Sequence, residues 1–209
     1  MDLRSILVLS VGAIFVYNFI FVRFLGLCPY IGVSKQLDSA VGMGAAVVFV
    51  MTIASTVTYL IYQYFLLPAE TNLFYKLFSL KEPPDLTFLK TIAFILVIAS
   101  LVQFVEMVVQ KMSPALYKAL GIYLPLITTN CAILGVTLLN IDSSYNFLES
   151  IINGFASGLG FTLALVLMAS IREKLELAEV PKAFDGIPIA FIMAGLMAIA
   201  FLGFSGLKL

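Results

Sequence analysis

Long apolar runs alternate with short polar breaks along almost the whole chain. Six apolar segments stand out: residues 6–25 with a continuation to 33, then 41–67, 88–109, 116–139, 147–171 and 187–204. Each approaches the ~20 residues that a helix needs to cross the hydrocarbon of a bilayer. The breaks carry the charge, in "SKQLD", "KEPPD", "QKMSP", "NIDSS" and "REKLELAEVPKAFDG". This pattern predicts an all-α integral membrane protein of about six transmembrane helices, a single transmembrane domain over residues 1–209. The longest connection, residues 69–86, holds Pro83 and Pro84 and reads as a surface loop.

Composition agrees and narrows the chemistry. The chain of 209 residues is 62% hydrophobic and 11% charged, with mean hydropathy +1.09, which excludes an ordinary soluble domain. A net charge of zero gives no sign of a nucleic-acid partner. The opening "MDLRSILVLSVGAIFVYNF" lacks a small-x-small cleavage site and reads as a retained span. There is no histidine, so any metal must rest on thiolates or oxygen ligands. The thiols are Cys28 and Cys131 alone.

Those two cysteines sit in matching motifs. "LCPYIGVS" and "NCAILGVT" share Cys-x-x-x-Gly-Val-[Ser/Thr], so Cys28, Gly32, Val33 and Ser34 map onto Cys131, Gly135, Val136 and Thr137 at one offset. The echo continues as "GMGAAVVFVMTIAS" against "GLGFTLALVLMAS". The chain therefore reads as two repeats of three helices, about 5–110 and 115–207. An odd number of spans per repeat inverts the second, and inverted repeats gather their functional groups at helix breaks near the midplane. From each cysteine to the next aspartate, Asp38 or Asp142, is about ten residues, or ~15 Å of helix, half the hydrocarbon thickness. Gly26 and Pro29 flank the first cysteine, and Pro125, Thr128, Thr129 and Asn130 precede the second. Such residues interrupt helices or bond to freed backbone.

Two deep thiols admit several readings. They suit inert core packing, because free cysteine often serves as a small hydrophobe. They also suit a disulfide, although that needs no polar surroundings. An iron–sulfur cluster usually takes four protein ligands, so one held here would be shared with a second protein.

The stretches "VYNFIFVRFLGLCPYIGVSK" and "SPALYKALGIYLPLITTNCAILGVTLLN" resemble the A-type subunits of Rnf complexes, ion-translocating ferredoxin:NAD oxidoreductases of bacterial membranes. The resemblance covers nearly the whole chain; the sister family is the E-type subunits of the sodium-pumping NADH:quinone reductase. It implies a translocase component that is not catalytic alone, in the bacterial cytoplasmic (inner) membrane. It implies a homologous E-type partner of opposite topology, further Rnf components of the B, C, D and G types, and no nucleic acid. It also implies a [2Fe–2S] cluster held by two cysteines from each partner, a role that falls here on Cys28 and Cys131. Thr128, Thr129 and Asn130 are then candidates for hydrogen bonds to cluster sulfurs, and equally for satisfying the broken backbone. The 69–86 connection is longer than this family leads one to expect.

Other polar residues lie within the spans. Glu106 is an intramembrane carboxylate, hence a candidate for an ion path, although a structural pair with Lys111 or Arg23 suits it as well. Gln103 shares its helix face. Six spans put Arg4, Lys76, Lys81, Lys90 and Lys208 on one side, and Lys35, Lys111, Lys118, Arg172, Lys174 and Lys182 on the other, joined by Arg23 if it reaches the surface. The bias favours termini on the non-cytoplasmic side. An inverted-repeat secondary transporter is the competing function, and the scarcity of buried carboxylates disfavours it.

Overall fold

The computed structural model describes residues 3–67, 86–112, 124–178, 180–181 and 184–206, and the regular elements among them are all helical. The expected loop at 69–86 lies outside the described residues except for Leu86, as does the start of the segment expected at 116–139.

Helix α1 (Leu3–Val11) continues into a π-helical turn at Gly12–Val16. Helix α2 is Leu27–Val33, and α3 (Leu37–Ile61) ends in a second π-helical turn at Tyr62–Leu66. A 3₁₀ turn at Thr87–Leu89 leads into α4 (Lys90–Met112). Short α5 (Leu124–Thr128) precedes α6 (Cys131–Asp142), followed by α7 (Phe147–Glu176) and α8 (Ile187–Leu202). By length and composition, Leu37–Leu66, Thr87–Val108 and Phe147–Glu176 can each cross a membrane. Three shorter apolar helices, Arg4–Val16, Leu126–Asp142 and Ile187–Leu202, complete the set among the described residues.

The run expected as one helix over 6–25 stops at Val16, and the chain passes through turns until Leu27. Fully buried Asn18 organises this departure. Its Nδ2 donates to the carbonyls of Ile14 (3.0 Å) and Gly160 (2.8 Å), and its Oδ1 accepts from the amides of Ile20 (3.0 Å) and Phe21 (3.4 Å). One side chain thus pairs backbone groups that apolar surroundings would leave costly, and pins the turn to α7.

Helices α3 and α7 form the centre. A Cβ on Gly44 would strike Thr162, one on Gly158 would come within 2.7 Å of Val48 Cα, and one on Gly154 within 3.0 Å of the Met51 carbonyl. Partner numbers fall on one helix as they rise on the other, so the two run antiparallel. The small residues of "GMGAA" and "GFASGLG" are there for close backbone approach, which drives packing where lipid removes the hydrophobic incentive.

Contacts at the helix ends sort into two groups. Lys90 Nζ meets Asp142 Oδ1 at 2.6 Å, and Tyr59 packs on Phe147 at a centroid distance of 5.6 Å. At the other end, Glu173 Oε1 accepts from the Leu37 amide (3.1 Å) and Arg172 Nη1 donates to the Ile31 carbonyl (2.7 Å). Helix α7 therefore runs past its expected end at 171. Arg172, expected in a loop, is a helical residue bonded into α2.

Candidate functional site

Each cysteine lies in the first turn of a helix that starts after an interruption. Cys28 is the second residue of α2, behind Gly26 at φ 80°. Cys131 opens α6, and Asn130 caps it: the Asn130 Oδ1 accepts from the Ala132 amide at 3.0 Å. First-turn backbone dipoles favour negative charge at both places.

The fold brings the motifs together. The Gly26 amide, two residues upstream of Cys28, donates to Cys131 Sγ at 3.3 Å. Gly26 is required there twice over. Its positive φ is the left-handed region, and an added Cβ would come within 2.6 Å of Phe161 Cε2 and 3.0 Å of Asn130 Oδ1. The repeated glycines pack reciprocally. Gly32 of the first motif faces Leu126, ahead of Cys131, and Gly135 of the second faces Leu25, ahead of Cys28.

Both cysteines are free thiols, and both are exposed at the surface of the chain. They are therefore not buried within this chain, and no disulfide joins them. A [2Fe–2S] cluster needs anionic sulfur donors open to a second contributor, and these residues fit half of that set. Among the described residues no group of three or more Cys, Asp or Glu side chains stands ready to hold a metal. Asn130 adds a detail that its sequence does not reveal. Its oxygen does the capping, while its buried Nδ2 has no partner among the described residues, so a donor remains beside Cys131. Half-buried Thr128 closes α5, and exposed Thr129 lies in the turn before Asn130.

Arg172 reaches the same region from α7. Besides the Ile31 carbonyl, its Nη1 meets Ser34 Oγ at 3.1 Å, so one guanidinium holds the C-terminal end of the cysteine helix α2. Charge pattern alone assigns it to solvent; only tertiary packing discloses this role. Tyr30 of α2 is fully buried and meets Met197 Sδ of α8 at 3.5 Å.

Glu106 stays apart from this cluster of contacts. It is half-buried on α4, and among the described residues no ion pair joins it to Lys111 or Arg23. Arg23 instead lies over the Phe19 ring, 5.8 Å from its centroid. Exposed Gln103 lies one turn away on the same helix.

Comparison with known proteins agrees with this geometry. The family described as "Rnf-Nqr subunit, membrane protein" matches residues 6–208. The chain is 58% identical to the A-type subunit of the Na(+)-translocating ferredoxin:NAD(+) oxidoreductase complex of Acetobacterium woodii, over 98% of this chain and 99% of that one. It is 55% identical to the A-type subunit of the ion-translocating oxidoreductase complex of Serratia proteamaculans, over 96% of both chains. It is 53% identical to the corresponding subunit from Vibrio cholerae (serotype O1, strain El Tor Inaba N16961), again over 96% of both chains. Matched from end to end at this level, the chain belongs to the Rnf-Nqr family of membrane subunits.

Proposed function

We propose that this chain is the A-type membrane subunit of an Rnf ion-translocating ferredoxin:NAD oxidoreductase, and that it passes electrons through a [2Fe–2S] cluster shared with a homologous partner. The observation that carries the reading is the Gly26 amide donating to Cys131 Sγ beside two free, exposed thiols. The motifs meet, and their sulfurs remain open to a second protein.

Cys28 and Cys131 would hold one side of the cluster. When bound, it supplies a one-electron carrier within the membrane. This chain's own part is to orient the two thiolates from helix starts and to offer N–H groups to their charge. The Gly26 amide already does so, and Asn130 Nδ2 is the second candidate.

The repeat reading has two supports. Antiparallel α3 and α7 are the elements that an inverted repeat would relate. The end contacts also group as six spans require, with Lys90 near Asp142 and Ser34 near Arg172. The partner would be the E-type subunit of opposite topology, within a complex that includes components of the B, C, D and G types. The termini would lie on the non-cytoplasmic side of the bacterial inner membrane. A secondary transporter has less support, since Glu106 is the one carboxylate away from the helix ends among the described spans.

The test is Cys28→Ser and Cys131→Ser, each in the assembled complex. Both variants should insert and assemble yet lose the electron paramagnetic resonance signal of the intramembrane cluster and the electron flow. Near-normal iron content and turnover in either variant would overturn the reading.

A further inference from the structure

A second site lies between α1, α6 and α7, away from the cysteine pair. It is a cavity of about 1050 Å³, at the upper end of the ~300–1,000 Å³ usual for ligand sites. One wall is two adjacent stripes of α1 and its π turn: Arg4, Val8, Gly12 and Val16, beside Ser5, Leu9 and Ala13. The first is cationic at its start and apolar along its length. Arg23 adds a second guanidinium, and no acidic side chain lines the cavity among the described residues.

The facing wall offers an unused hydroxyl. Ser157 on α7 is buried, lines the cavity, and its Oγ has no hydrogen-bond partner among the described residues. Ser150 on the same helix shares this state but does not line the cavity. Thr162 and Ser170 each donate to the carbonyl four residues back, at 2.9 and 3.0 Å. Nearby Asn153 is committed, its Nδ2 bonded to Asn140 Oδ1 at 2.7 Å. A buried hydroxyl without a partner is costly unless something else meets it.

These features select the occupant by charge and shape. Among the described residues two guanidiniums and no carboxylate line the cavity, which disfavours a cation, and a neutral apolar molecule leaves the guanidiniums uncompensated. A phosphate ester is held by guanidinium forks through paired, charge-assisted hydrogen bonds. The apolar stripe below Arg4 suits a hydrocarbon chain. We propose that this cavity binds one acidic phospholipid, with its phosphodiester at Arg4 and an acyl chain along Val8 and Val16.

The test uses the whole complex, stripped of lipid in detergent and then given phosphatidylglycerol, phosphatidylcholine or inorganic phosphate. Native mass spectrometry counts retained lipid, and a thermal melt reports stabilisation. Wild type should retain phosphatidylglycerol in preference to phosphatidylcholine, and inorganic phosphate should not reproduce its stabilisation. Arg4→Gln should weaken that binding about tenfold, the scale of one lost charged hydrogen bond. Arg23 adjoins the turn before Cys28, so its substitution threatens folding; the wild-type comparison and Arg4→Gln do not depend on it. Equal retention of both lipids, equal stabilisation by inorganic phosphate, or unchanged affinity in Arg4→Gln would each overturn the assignment. So would an acidic side chain of another protein found filling the cavity in the assembled complex.

Discussion

The Gly26 amide donates to the sulfur of Cys131 at 3.3 Å, so the backbone ahead of one cysteine serves the other. The contact depends on the left-handed turn that only glycine adopts without strain there. Gly26→Ala should cost ~1–2 kcal/mol for the backbone alone, and more for the clash with Phe161. The expected outcome is a protein that still inserts but holds little cluster. Visible absorption and iron content of the purified complex report it, and a full complement of iron would refute it.

Arg172 fixes the far end of the helix that bears Cys28. Arg172→Lys keeps the charge but loses the planar fork. Loss of a charge-assisted hydrogen bond costs ~1.5–3 kcal/mol. The variant should melt earlier, and if α2 shifts, the midpoint potential of the cluster should move too. Redox titration separates the effects. A lowered melting point with an unmoved potential would leave Arg172 as a structural brace only.

Two glycines make a matched pair for testing the central crossing. A Cβ on Gly158 would meet the backbone of Val48, whereas one on Gly195 meets nothing within 4 Å. Gly158→Ala should destabilise by ~1–3 kcal/mol, the usual cost of overpacking. Gly195→Ala should be neutral or slightly stabilising, since alanine favours helix. Melting temperatures of the two variants in one detergent decide this; equal values would contradict the close approach.

Glu106 is half-buried on α4 and has no ion pair to Lys111 or Arg23 among the described residues. Glu106→Gln keeps the shape and removes the charge. If the carboxylate serves ion movement, ions carried per electron should fall while the cluster is reduced normally. Both fluxes are measured in the same vesicles. An unchanged ratio would end its candidacy.

The proposed six-span arrangement would place the C-terminus and the α7–α8 connection on opposite sides of the membrane. Because α7 is helical through Glu176, the informative reporter site is just after that residue. A reporter there should report the cytoplasm and one at the C-terminus the opposite side. The reverse pattern would invert the orientation, and agreement between the two would refute the span count.

Much of this organisation is legible in sequence because it rests on local rules. Gly26 and Asn130 mark interruptions and lie where helices begin, whereas Pro29 and Pro125 fall within helices. The small residues of "GMGAA" and "GFASGLG" announce a tight crossing. Arg172 misleads for a physical reason: "REKLE" looks like a chain leaving the bilayer, while its acceptors, Ile31 and Ser34, lie about 140 residues away. Asn18 hides its role for the same reason, since one of its four bonds reaches Gly160. The two ends of the Asn130 amide are inseparable in sequence; the cap occupies its oxygen and leaves its nitrogen over.

The α3–α7 crossing has a mechanical consequence. Backbone lies close to backbone at Gly158 and Val48, with only the Val48 side chain beside it, so little there can yield or slide. A displacement that keeps this contact carries the two helices together. The turn after Val16 belongs to the same body, because Asn18 Nδ2 bonds the Gly160 carbonyl of α7, so a pivot falls in the turn before Cys131, where the chain leaves its helical bonds. An input that moves that turn moves the Cys131 thiol directly and leaves the spine of the protein still.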